Sequence, residues 1–110
     1  YMNQLAALEK QHQAIVGVYV MDTENGRTLA YRADERFSYC STHKVLLAGA
    51  ILQRFSLDDL NEVIHYSADD ILSYAPVTKK HIDDGMPLGE LCESAIRVSD
   101  NTAANLMLQN

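Results

Sequence analysis

Basic residues are few in this chain. There are 9 Lys and Arg against 15 Asp and Glu in 110 residues, a formal net charge of -6. They are also scattered, and a surface that binds nucleic acid needs them clustered, so a nucleic-acid partner is not expected. Long hydrophobic runs are missing too. The longest, Val45 to Leu52, is under half of the roughly 20 residues that cross a bilayer, so no membrane span is expected. The four histidines (12, 43, 65, 81) have no metal-ligand spacing such as H-x-x-x-H, and no metal site is expected. There are two cysteines, Cys40 and Cys92, which permit one disulfide without requiring it. Each is expected to be a small buried apolar side chain. No signal peptide is evident and the first residue is not Met, which fits a mature or trimmed product. Repeats, low-complexity segments and inter-domain linkers are absent, so 110 residues suit one small domain or part of a larger one.

What is present reads as α+β. Residues 1–13 predict an amphipathic helix with Met2, Leu5 and Leu8 on one face and Gln4, Glu9 and Lys10 away from it. "AIVGVYVMDT" (14–23) is rich in β-branched residues and apolar on both alternating sets, which predicts a strand covered on both faces. Asn25-Gly26 then signals a hairpin into a second strand, "TLAYRADERF" (28–37). From residue 38 onward the pattern is mostly helical. Thr42 to Arg54 is apolar nearly all round, which predicts a fully buried helix. Ser67 predicts an N-cap with Asp70 three residues on, before a stop at Pro76. Pro87 is expected at the first position of a helix over 87–98, and a last helix starts near Thr102. A two-stranded sheet alone is marginal in water. The chain is therefore expected to be the first part of an α+β protein whose remaining sheet lies outside this sequence.

Two short motifs could carry chemistry. In Ser41-Thr42-His43-Lys44, helical spacing puts Ser41 and Lys44 on one face. Ser41 lies at a helix start, where unpaired N–H groups and the dipole favour negative charge. Apolar surroundings disfavour a charged lysine, so Lys44 could act as a base toward the serine. An alcohol, a base and amides able to hold an oxyanion are the parts of acyl transfer. The plainer alternative is an N-cap serine with a snorkelling lysine. Ser99-Asp100-Asn101 lies between two helical segments. It is either an interhelix turn capped by Asp100 or a source of a second hydroxyl, Ser99, and a substrate-holding amide, Asn101. Cys40 has no histidine placed to activate it. The Asp pairs at 58–59, 69–70 and 83–84 fall in polar connecting segments, where solvated or capping roles are expected.

S-x-x-K together with S-D-N is two thirds of the signature of class A β-lactamases and penicillin-binding proteins, whose third part is K-T-G. The resemblance extends through "RADERFSYCSTHKVLLAGAIL", "IHYSADDILSYAPVTKKHIDDGMPLGELC" and "SDNTAANLMLQN", so the whole chain resembles the N-terminal part of a class A serine β-lactamase. It implies an incomplete β-lactamase/transpeptidase-like fold within a single catalytic domain, with residues 1–37 as helix plus hairpin and 38–110 as the helical region. It implies hydrolysis of β-lactam antibiotics through a serine acyl-enzyme. Penicillin-binding transpeptidases or carboxypeptidases and β-lactam sensor domains remain as alternatives sharing the acylation residues.

Residue by residue, the resemblance implies that Ser41 is the nucleophile and its own N–H an oxyanion donor, and that Lys44 helps deprotonate it. Ser99 would pass a proton to the leaving nitrogen, Asn101 would contact the substrate's acylamino group, and Tyr74 would flank the pocket. It implies no cofactor, a small-molecule β-lactam as the partner, a monomer when full length, and a periplasmic or secreted location. K-T-G and the deacylating glutamate of the family are absent and are expected beyond residue 110. These 110 residues alone are thus expected to be inactive. Cys92 matches one half of a disulfide seen in some members, but the partner position holds Ala48 or a neighbouring apolar residue, so both thiols are expected to be free.

Overall fold

The computed structural model describes residues 1–110, which divide into two compact units, residues 1–38 and 39–110. The first unit holds helix α1 (Met2–His12) and the antiparallel strands β1 (Val18–Met21) and β2 (Thr28–Tyr31). The register pairs Val18 with Tyr31 and Met21 with Thr28. The strands are four residues each, shorter than their β-branched stretches suggested. The hairpin does form at Asn25-Gly26, but through a six-residue loop rather than a two-residue turn. Asp22 organises it: Asp22 Oδ1 accepts the Glu24 N–H, Oδ2 accepts from the Asn25 amide, and the Asp22 carbonyl accepts the Gly26 N–H. Gly26 supplies the left-handed backbone at φ 72°.

Leu5 and Leu8 of α1 face Val18, Val20 and Leu29 across an open apolar groove, as the helical spacing predicts, but Gln4 lines it with them and Met2, expected on that face, does not. Tyr19, Val20 and Met21 are nonetheless exposed, so β1 lacks the cover on both faces that its composition suggested. Glu9 ties the unit together, although its helical position set it among the polar residues. Its carboxylate accepts the Val16 N–H at 2.8 Å and the Tyr31 hydroxyl at 2.9 Å, and pairs with Arg32 Nε at 2.9 Å. The Val16 N–H and the Arg32 guanidinium hold the Glu9 carboxyl below the ordinary carboxylate value.

The second unit is built on three helices, α2 (His43–Arg54), α3 (Leu88–Arg97) and α4 (Asn101–Gln109), with a two-residue antiparallel bridge between β3 (Val63–Ile64) and β4 (Met86–Pro87). Helix α3 buries Leu88, Leu91, Cys92, Ser94 and Ala95, a stripe at three- and four-residue spacing. It packs on Ala103, Ala104, Leu106 and Met107 of α4, with Tyr66 and Met86 completing the core. Gly85 closes onto β3 at φ 75°, and a Cβ there would sit 2.7 Å from the Ile64 carbonyl oxygen, so only glycine fits.

Four expectations need correction in this unit. Helix α2 is buried on one stripe only: Lys44, Ala48 and Ile51 face inward, while Val45, Leu46 and Leu52 are exposed. Residues 68–70 form a single 3-10 turn rather than a helix, although Ser67 and Asp70 do make the predicted capping box. Pro87 stands just before α3, as its N-cap. Cys40 is exposed, not buried packing, because it opens the Cys40–Thr42 turn at φ 45°, outside the apolar stripe; Cys92 is buried and unbridged. The Asp pairs are exposed, and Asp59 and Asp70 cap turns through Ser56 and Ser67.

The Glu9 clasp gives an acid-dependent stability term. Because its folded pKa is depressed, the contribution is complete at neutral pH and is lost as pH falls below the ordinary carboxylate value through the lowered one. In the full-length protein, Glu9→Gln is expected to lower Tm at pH 7, and the gap from wild type should narrow as the pH falls below the ordinary carboxylate value. Thermal melts across that range check this, and a gap constant with pH would refute it.

Candidate active site

Three local features bring the site together. The turn Cys40–Thr42 runs directly into α2, with the Thr42 hydroxyl donating to the Tyr39 carbonyl at 2.5 Å, and this sets Ser41 at the mouth of the helix. Lys44 lies in the first turn of α2 and heads the stripe that continues through Ala48 and Ile51, at i, i+4 and i+7. The register that buries those two apolar residues therefore buries the lysine with them, to 3% exposure. The third feature is the junction between α3 and α4. Ser99 takes a left-handed conformation there, φ 60°, which costs about 1–2 kcal/mol for a residue with a Cβ. Such strain persists only where the surroundings impose it.

The junction is held by Lys44 on the Ser99 carbonyl, by the Asp100 N–H on the Ser94 carbonyl and by the Asp100 side chain. That side chain is fully buried. Oδ1 accepts the Ala103 N–H at 2.9 Å and caps α4, while Oδ2 accepts the Val77 and Thr78 N–H groups at 3.0 Å each. The Thr78 hydroxyl reaches both oxygens, at 2.9 and 3.1 Å. Burial works against the charged carboxylate, but these amides and the hydroxyl outweigh it and hold the pKa below the ordinary value. With Asp100 held, the flanking Ser99 and Asn101 are aimed at α2.

The result is a compact polar cluster. Lys44 Nζ lies 2.7 Å from Asn101 Oδ1, 2.8 Å from the Ser99 carbonyl oxygen, 2.9 Å from Ser99 Oγ and 3.4 Å from Ser41 Oγ. Ser99 Oγ donates to Ser41 Oγ at 2.8 Å. An ammonium has three N–H donors, so the three short contacts use them fully and the serine contact is the weak one. Burial pushes the Lys44 pKa down from its ordinary value, with the charge of Asp100 opposing. The cluster opens on a cleft of about 310 Å³ lined by Ser41, Thr42, Lys44, Val45, Ala95, Ile96 and Ser99. A hydroxyl hydrogen-bonded to a second hydroxyl, both beside a lysine inclined to lose its proton, is equipped for nucleophilic attack and proton relay.

Ser41, Lys44, Ser99 and Asn101, singled out from the sequence, thus converge. Tyr74, expected to flank the pocket, is an exposed residue and is not among those lining this cleft. Its backbone carbonyl accepts the Asn101 N–H at 3.0 Å. Thr78 and Tyr66, whose hydroxyl donates to the Thr78 carbonyl at 2.8 Å, escaped notice because neither stands in a motif. No group of three or more His, Cys, Asp or Glu side chains is placed to hold a metal ion. No helix is long and apolar enough to cross a membrane.

Comparison with known proteins gives the family. Residues 1–109 match the profile of the beta-lactamase enzyme family, and the chain belongs to that family. It is 55% identical over 109 residues to beta-lactamase ROB-1 of Haemophilus influenzae, covering 99% of this chain and 36% of that protein. It is 56% identical over 102 residues to a beta-lactamase of Bacillus subtilis (strain 168), covering 93% of this chain and 33% of the relative. The crystal structure of a class A beta-lactamase from Clostridium kluyveri DSM 555 matches with a TM-score of 0.94 at 50% identity, over 99% of this chain and 42% of that one. The chain thus spans about a third of the length of the curated relatives it matches.

Replacing Asp100 with Ala would strand the buried Thr78 and Ala103 N–H groups and the part-buried one of Val77, and would uncap α4. The expected cost in the full-length protein is about 3–5 kcal/mol, read as a shift in the denaturant midpoint. A loss under 1 kcal/mol would mean that the carboxylate does not organise the junction.

Proposed function

We propose that the full-length protein hydrolyses β-lactams through an acyl-enzyme on Ser41. The observation that carries this is the buried lysine and the Ser99 hydroxyl both converging on one serine oxygen. Ser41 Oγ attacks the carbonyl carbon of the four-membered ring, and its proton passes to neutral Lys44, directly or by way of Ser99. The Ser41 backbone N–H at the helix mouth is one oxyanion donor. The carbonyl–nitrogen bond then breaks, and Ser99 protonates the departing nitrogen while drawing a proton from Lys44. Asn101, with Oδ1 on Lys44, has its amide nitrogen left to meet the substrate's acylamino group. Water finally cleaves the ester, with groups that the family resemblance assigns beyond residue 110. The names of the relatives support hydrolysis over lasting acylation. This reading carries with it a monomeric protein in the periplasm or outside the cell.

In the full-length protein, Ser41→Ala is expected to reduce turnover of a chromogenic cephalosporin by at least about 10³-fold, and Lys44→Ala by a comparable factor. Steady-state kinetics measure both. Turnover surviving in Ser41→Ala would end the proposal.

A further inference from the structure

We propose that Thr78 is a positioning residue for the Ser41 reaction, acting through Asp100 on the Ser99–Asn101 junction and Lys44. The inference rests on the function proposed for Ser41. Thr78 is fully buried, yet its N–H and its hydroxyl are both spent on the Asp100 carboxylate. Its carbonyl is in turn fixed by the Tyr66 hydroxyl, so the residue is held from both sides. Asp100 lies between the two residues that make the three short contacts to Lys44. A slack Asp100 would let Ser99 relax from its left-handed backbone and carry its hydroxyl away from Ser41.

The hydroxyl also sets how much of the Asp100 charge reaches Lys44. The titratable and charged groups on the elements around the lysine are Cys40 in its turn, His43 and Arg54 on α2, Glu90, Cys92, Glu93 and Arg97 on α3, and Asp100 at the junction. Helix α4 contributes none. The α3 charges line a separate cleft with Val77 and Met86. Asp100 is the charge that acts on Lys44, and it favours the protonated form. A donor removed from the carboxylate leaves more of that charge unneutralised. Lys44 would then give up its proton at higher pH, and the acid limb of acylation would move upward.

The test is single-turnover acylation of the full-length protein by a penicillin, followed by intact mass across pH 5–9. Thr78→Val is expected to acylate about tenfold more slowly, since small displacements at such sites are costly, with its acid limb about half a pH unit higher. Thr78→Ser restores the hydroxyl and should recover both rate and limb. Should Thr78→Val not fold, Tyr66→Phe, which removes the hydroxyl from the Thr78 carbonyl and leaves it only the His81 N–H, is expected to give a smaller change in the same direction. Wild-type rate and limb in the Val variant, or in Tyr66→Phe where that variant decides, overturns the inference, as does a slow Ser variant with an unshifted limb, the mark of packing alone. Absence of acylation in wild type would remove the Ser41 reading and this inference together, whereas acylation that ignores Thr78 removes this inference alone.

Discussion

The second unit is organised around one costly act, the burial of an amine. A lysine withdrawn from water must find partners or lose its proton. Lys44 does the first through Ser99 and Asn101 and is inclined toward the second by burial. Both responses are what a serine needs from a neighbouring base. The apolar stripe that sinks the amine and the polar junction that receives it come from different helices. The site therefore exists only once α2, α3 and α4 have packed.

That packing explains why a carboxylate that never lines the cleft is so heavily bonded. Asp100 caps α4, fastens the 77–78 loop and holds Ser99 in a backbone conformation serine seldom adopts. Its negative charge also offsets part of the desolvation of Lys44. Stability and chemistry are coupled here through one side chain. A stronger pull from Asp100 would keep the lysine protonated, and a slacker hold would misplace both partners of the relay.

Much of this was legible in the residues themselves. The spacing of Ser41 and Lys44 places them on one helical face, and S-D-N at an interhelix junction names the other two partners. The capping roles of Ser67 and Asp100 follow from side-chain chemistry, and Asn25-Gly26 marks the hairpin. Other features depend on distant contacts that periodicity cannot reveal. Glu9 counted as polar surface, yet it meets Tyr31 and Arg32 from across the hairpin. Helix α2 reads as apolar all round, but only Lys44, Ala48 and Ile51 are buried among these residues, with Leu47 half-buried beside them. Thr78 carries no motif, and its importance arises from a carboxylate 22 positions away. The Tyr74 carbonyl that accepts the Asn101 N–H is a backbone contact that no side-chain motif announces.

The proton affinity of Lys44 Nζ is where the account is most exposed. A pH titration of that nitrogen by NMR, in full-length protein labelled at lysine, with Lys44→Arg to assign the signal, would measure it directly. The account predicts a pKa clearly below the ordinary value of a lysine side chain. A Lys44 that titrates at or above that ordinary value would contradict it.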